Sequence, residues 1–211
     1  MKDQDKNKGM GHLFVITGPS GTGKNTIIDI VTQRIDNLAY SVSHTTRKPR
    51  KGEIDGKDYY FVDKMTFQRM IDDREFIEWA RVYSDLYGTS FSSIRDKLRH
   101  GIDMILDLDI QGAMNMKRHF KNITLIFVLP PSLEELRKRL IKRGAEDKVI
   151  KERLSQTLDE IRMAKKYDYI VINDELEKAI KETESIIISE RIRTERRLSY
   201  INSFFDSTNT H

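Results

Sequence analysis

The chain contains no cysteine at all, which excludes disulfides and thiolate metal sites and fits a reducing compartment. It also lacks any window near the roughly 18 consecutive apolar residues that a membrane-spanning helix requires. Met1 to Lys8 mix lysines with aspartates and hold no apolar stretch, so they resemble neither a secretory signal nor an acid-poor transit peptide. A cytoplasmic location without a membrane partner is the expectation. No internal repeat and no low-complexity segment occurs. Charge of one sign is not in excess either, because 37 Lys and Arg stand against 33 Asp and Glu for a net +4. The two signs interleave, as in Ser189 to Arg197, which is the pattern of solvated helix faces. A nucleic-acid partner is therefore not expected, since a polynucleotide surface would segregate its basic residues.

What is present is a chain of 211 residues, long enough for one domain with a substantial apolar interior. Its most informative stretch is Gly18-Pro19-Ser20-Gly21-Thr22-Gly23-Lys24-Asn25-Thr26. Apolar Leu13 to Ile16 precede it, and Ile27, Ile28, Ile30, Val31 and Ile35 follow at helical spacing. Strand, glycine loop and helix in that order form a phosphate cradle: inward N–H groups and a helix N-terminus meet the anion, and Lys24 reaches the outer phosphates. Binding of a nucleoside triphosphate is implied. Asn25 stands where Ser or Thr normally offers a hydroxyl to Mg²⁺. Its amide oxygen could ligate the ion, Thr26 supplies a hydroxyl next door, and an altered metal shell is expected.

Further along, Ser41 to Tyr60 is poor in apolar periodicity, while Tyr59 to Val62 and Phe76 to Ala80 read as short strands of an insertion with its own small sheet. Met104 to Asp109 and Thr124 to Leu129 read as buried parallel strands flanking the first. Ser132 to Glu135 is a capping box that opens a helix with Leu133, Leu136 and Leu140 on one side, ending at Gly144. A second helix from Lys148 uses Val149, Leu154, Leu158 and Ile161. A last strand, Tyr169 to Ile172, precedes one long helix beginning near Asp174. Strands alternating with helices argue an α/β fold with a parallel sheet covered on both faces. Trp79, Phe14 and Phe127 read as core. Ile187, Ile192, Leu198, Ile201 and Phe205 would give the last helix an apolar face for either the core or a second subunit, leaving monomer and homo-oligomer both open.

Several blocks together resemble guanylate kinase of the bacterial type. They are the glycine loop, Ser41 to Arg50, Gly52 to Tyr59, Glu75 to Ala80, Ile105 to Gly112, Ile172-Asn173-Asp174 and Ser189 to Arg197, covering roughly residues 11 to 198. The resemblance implies a three-layer fold of the P-loop NTPase type, with a small inserted GMP-binding sheet region and a helical lid. It divides the chain into a polar tail at 1–8, a domain at 9–204 and a tail at 205–211. Within the domain the core would span 9–40, 101–136 and 155–204, the GMP-binding region 41–100 and the lid 137–154. The implied reaction moves the γ-phosphoryl group of ATP, as its Mg²⁺ complex, onto GMP or dGMP, with these small molecules as the only partners expected.

By the same resemblance Arg47 and Arg50, with Tyr59 and Tyr87, hold the GMP phosphate, a task suited to planar guanidinium forks. Solvated arginines and a packing tyrosine are the ordinary alternatives. Glu78 reads the guanine N1–H and amino edge, assisted by Asp109, with Ser43 and Thr89 on the O6 side. Simple alternation places Glu78 on the face of Phe76 and Ala80. A solvent-facing edge glutamate is the alternative. Asp107 and Asp109 end their strand on one face, where open α/β sheets gather ligands, and Asp107 would orient water on Mg²⁺; solubility residues are the alternative. Arg139, Arg143 and Arg153 resemble lid arginines that close on the donor phosphates and exclude water, against ordinary helix-surface charge. Asn173 would meet the adenine or its ribose, or simply cap a turn. A non-catalytic module of the same fold and a kinase for another small phosphate are the rival functions; the intact loop argues against the first, and the base-reading set against the second.

Overall fold

The computed structural model describes residues 10–82, 84–142 and 147–206. At its centre β1 (Leu13–Thr17) is buried along its whole length. It pairs in parallel with β7 (Asp103–Asp107) on one side and β8 (Ile123–Leu129) on the other. The sheet is completed by β2 (Leu38–Tyr40) beside β7 and β9 (Tyr169–Ile172) beside β8, giving the order β2-β7-β1-β8-β9. Both faces are covered, so the strands read as continuous apolar runs. One face packs Phe14, Ile16, Ile105 and Ile126 against α1 (Lys24–Arg34) and α7 (Leu176–Arg191). The other packs Leu13, Val15, Leu106 and Leu125 against α3 (Phe91–Arg99) and α4 (Ile110–His119).

The inserted region forms a second sheet in the order β4-β3-β6-β5, from β3 (His44–Thr45), β4 (Tyr60–Phe61), β5 (Phe76–Val82) and β6 (Asp85–Ser90). Helix α2 (Lys64–Asp72) packs Phe67 and Met70 on Phe76 and Leu86 of this sheet. A pair of helices, α5 (Leu133–Lys142) and α6 (Asp147–Met163), shares its own cluster of Leu136, Leu140 and Ile150. The Ser132 hydroxyl accepts from Glu135 N–H at 3.1 Å, as its cap position demands.

Four sequence expectations change. Strand β7 stops at Asp107, because Asp109 serves as the N-cap of α4 and accepts from Gly112 N–H at 2.7 Å. The pairing of β5 with β6 slips between Phe76 and Glu78, where Phe76 faces Ser90 and Glu78 faces Thr89. One extra residue reverses the side-chain parity, so Glu78 lies on the face opposite Phe76 instead of sharing it. Trp79 is consequently 49% exposed on an edge strand and is not core, whereas Phe14 and Phe127 are fully buried. The long C-terminal helix is two helices, α7 and α8 (Thr194–Asp206), since a turn lets both Arg191 and Arg196 reach the buried Asp103 carboxylate. Of the five apolar residues assigned to that helix face, Ile187 joins the core, while Ile192, Leu198, Ile201 and Phe205 are exposed.

Candidate active site

Two clefts meet at the carboxyl ends of the central strands. The first, about 650 Å³, is lined by Gly18, Ser20, Gly21, Gly23, Lys24, Asn25 and Thr26, with Asp107, Asp109 and Glu160 opposite. Gly18 has φ 141°, and a Cβ there would collide with the Val128 carbonyl, so only glycine lets the chain leave β1 this way. Pro19 and Thr22 do not line the cleft. They form its frame, with the buried Thr22 hydroxyl donating to the Pro19 carbonyl at 3.0 Å. Lys24 folds over the loop and donates from Nζ to the Gly18 carbonyl at 2.6 Å, a contact that an arriving phosphate would replace.

The loop is braced from behind. Asn173 is 5% exposed, and its Nδ2 donates to the Thr22 carbonyl at 2.7 Å. One N–H of its amide is thereby engaged in holding the loop's shape. Arg139 donates from Nη2 to the Asn173 carbonyl at 3.0 Å and from Nε to Glu135 at 3.1 Å. Arg153 Nη1 donates to Ser20 Oγ at 3.2 Å, which places α6 against the rim of the loop. Arg143 lies outside the described residues, as do Gly144 to Glu146 between the two helices.

The second cleft, about 920 Å³, gathers Ser43, Glu78, Tyr87, Thr89 and Asp109. The register explains this: Glu78 faces Thr89, Ala80 faces Tyr87 and Thr45 faces Tyr87, so these side chains project to one side of the small sheet. Ser43 Oγ lies 3.2 Å from Thr89 Oγ1 across that sheet. Burial, with the Asp109 and Asp107 charges adding to it, pushes the Glu78 carboxyl up to about 7. Asp107 is also pushed up by burial, against the opposing pull of Lys24. Asp109 lines both clefts and so marks their junction.

Arg47, Arg50 and Tyr59 do not line the second cleft; Arg47 and Tyr59 stand beside Tyr87, which does, and Arg50 follows on the same loop. The Arg47 guanidinium lies 5.4 Å from the Tyr59 ring centre and 5.8 Å from that of Phe61, and the Tyr59 and Tyr87 rings are 5.9 Å apart. Arg47 forms a short ion pair with Glu53, and the Arg50 side chain is exposed.

Sequence reasoning passed over Glu160, whose buried Oε2 has no hydrogen-bond partner although the residue lines the loop cleft. Seven residues after Arg153 on the same helix, it shares that residue's face, which was the available signal. Asn115, Arg118 and Lys166 on the wall of the second cleft were also passed over. They sit on helix surfaces where polar residues are ordinary, so no pattern singles them out.

The guanylate kinase family model matches residues 10–190. The chain belongs to the guanylate kinase family. It is 45% identical over 196 residues to a guanylate kinase of Geobacter sulfurreducens, covering 92% of this chain and 97% of that one. A guanylate kinase of Thermotoga maritima is 44% identical over 195 residues, covering 92% and 94%. Among solved structures, the guanylate kinase of Anaplasma phagocytophilum superposes with a TM-score of 0.64 at 35% identity, covering 90% of each chain. The family's fold is the α/β architecture described above, with its parallel central sheet.

Proposed function

We propose that the chain transfers the γ-phosphoryl group of ATP to GMP, giving ADP and GDP, by dividing the work between the two clefts. A phosphate oxygen of GMP forms a bond to the γ-phosphorus as the bond to the β-phosphate bridging oxygen breaks. Such a transfer needs little covalent help, so positioning and neutralisation of charge dominate. The observation that carries the reading is the junction at Asp109 and Ile110: both wall the glycine-loop cleft and the cleft that holds the half-buried Glu78, so a donor phosphate and an acceptor meet end to end.

On the donor side the loop N–H groups and Lys24 hold the phosphates, with Ser20 and Thr26 at the rim. Arg139, Arg143 and Arg153 act as lid cations, and Arg153 touches the loop through Ser20. Asn173 contributes through the brace on Thr22.

On the acceptor side Glu78 accepts from guanine N1–H and its amino group together, with Asp109 beside the amino group and Ser43 and Thr89 at O6. Adenine would bring a lone pair to Glu78 and leave buried groups unpaired, which is how large discrimination arises. Arg47, Arg50, Tyr59 and Tyr87 hold the GMP phosphate. The intact loop and this base-reading set disfavour a non-catalytic module and a kinase for another small phosphate.

Mg²⁺ fits the first cleft as a hydrated ion. Asn25, Asp107 and Glu160 offer only oxygen ligands of the hard type that Mg²⁺ prefers, and the unpartnered Glu160 Oε2 is an acceptor for water. Among the described residues no three acidic or imidazole side chains converge to hold an ion by themselves, which suits an ion that keeps its waters and leans on phosphate oxygens. When bound, Mg²⁺ would neutralise the β- and γ-phosphate charge; Asp107 and Glu160 would hold its waters and Asn25 its amide contact.

Among the described residues no helix is long and apolar enough to cross a membrane. The cysteine-free composition fits a cytoplasmic setting for the reaction. The test is an ADP-release assay offering GMP, dGMP, AMP, UMP and ribose phosphates in parallel. GMP and dGMP should be used at least about 100-fold better than AMP by kcat/KM. Equal use of AMP, or of a ribose phosphate, would overturn the base-reading assignment.

A further inference from the structure

In the loop between β3 and β4 one carboxylate, Glu53, engages Arg47 and the Arg50 backbone, and the site described above leaves it without a role. Arg47 Nη1 donates to Glu53 Oε2 at 2.9 Å and Nη2 to Oε1 at 2.8 Å, so Glu53 fills the end-on fork of the guanidinium. Glu53 Oε2 also accepts from Arg50 N–H at 2.7 Å, and Glu53 N–H donates to the Arg50 carbonyl at 3.1 Å. The other Nη1 hydrogen goes to the Lys48 carbonyl at 2.8 Å. Arginine carries five N–H donors in a fixed plane. Three are thus used on Glu53 and Lys48; the other two, on Nε and Nη2, lie side by side along one edge, where the Tyr87 hydroxyl is the neighbour that an arriving phosphate would join. The ring planes of Tyr59 and Phe61 pack near the guanidinium, and the Tyr87 hydroxyl interacts with it.

An acid next to an anion site is unfavourable by charge alone, since Glu53 cancels one of the two nearby cations. Its place in a loop rich in arginine and lysine is offset by a gain elsewhere. The gain is geometric: a long, rotamer-rich side chain is fixed in one orientation before the ligand arrives, so less freedom is lost on binding.

We propose that Glu53 is the positioning residue of the acceptor-phosphate site. It holds Arg47 so that the Nε and Nη2 edge, and not the end-on fork, grips the GMP phosphate through two parallel hydrogen bonds. Through the Arg50 N–H it also fixes where Arg50 leaves the loop. This rests on the reading that Arg47 and Arg50 take the acceptor phosphate.

The experiment compares GMP with guanosine, which presents the same base without the phosphate, in calorimetric titrations of the wild type and of Glu53→Ala, Glu53→Gln and Glu53→Asp. Steady-state KM values for GMP and ATP and a melting temperature are taken for each. Glu53→Ala and Glu53→Gln should weaken GMP by about tenfold or more, as expected for a lost charge-assisted fork. Guanosine affinity and the ATP KM should stay within about twofold, and Glu53→Asp should recover part of the loss. Parallel weakening of guanosine and GMP would make Glu53 a staple of the whole region and overturn the proposal. Unchanged or tighter GMP binding would overturn it equally, the latter marking Glu53 as a repelling charge. A wild type that binds GMP no better than guanosine would instead refute the phosphate-site reading itself, a result visible before any variant is made.

Discussion

Glu78 carries the sharpest conflict between folding and function. A carboxylate raised to about 7 by burial and by Asp109 and Asp107 is held partly protonated near neutral pH, yet only the ionised form can accept both guanine donors. Binding of GMP should therefore weaken as pH falls below about 7, with kcat/KM for GMP dropping while the KM for ATP changes little. The sign for stability is opposite. The folded state binds this proton more tightly than the unfolded chain, so the contribution of Glu78 to stability is greatest at low pH and is lost as pH rises from the ordinary glutamate range through 7. Glu78→Gln should accordingly raise the melting temperature at pH 8 by about 2–4 °C, and do nothing at pH 4, while lowering kcat/KM for GMP about 100-fold. A melting temperature that is unchanged at pH 8 would mean the carboxylate is not strained by its surroundings. Lys24 makes a simpler case, because its ammonium now rests on the Gly18 carbonyl and contributes little to the core. Lys24→Ala should lower kcat about 100- to 1,000-fold with the melting curve intact; near-normal ADP production would remove it from the mechanism.

At the scale of elements, the phosphate loop owes its shape to groups that follow it by more than a hundred residues. Asn173, at the end of β9, ties the Thr22 carbonyl, and Leu136 and Leu140 of α5 pack on Gly21. Asn173→Ala should leave a buried carbonyl unpaired, costing about 1–3 kcal/mol in chemical denaturation and raising the KM for ATP several-fold. A variant with wild-type stability and ATP KM would show the brace to be idle. The same scale explains what could be read in advance. The glycine loop, the parallel strands beside β1 and the capping box at Ser132 obey local rules of spacing and chemistry, so they were legible. The slip in β5 was not, because nothing in Phe76-Ile77-Glu78-Trp79 announces an extra residue; parity there is set by the partner β6. The buried hydrogen bond of Asn173 was hidden for a related reason, since an Asn after a strand satisfies turn chemistry equally well. Asp109 was read as a strand end and instead caps α4, because an extended residue that caps a helix looks like the end of a strand.

For the whole molecule, the site lies at one end of the central sheet and an ion network holds the other. Asp103, with its side chain 3% exposed, accepts from Arg191 Nε at 2.7 Å, Arg196 Nη2 at 3.0 Å and His12 N–H at 2.6 Å. It joins β1, β7, α7 and α8 in one place. Asp103→Asn strips charge from a buried network and should destabilise by about 3–5 kcal/mol, while kcat per folded molecule stays near wild type. A loss of kcat without a loss of stability would mean that the two ends of the sheet are coupled. The two clefts, by contrast, must act together, since the proposed transfer passes one phosphoryl group directly from the glycine loop to the arginine loop across Asp109. The most direct measurement supplies ATP with a radioactive γ-phosphate to the wild-type protein in an equal mixture of GMP and AMP. Label should appear almost entirely in GDP, with Glu78→Gln abolishing that preference. Label in ADP at a comparable level, or release of free phosphate in place of GDP, would contradict the proposed transfer.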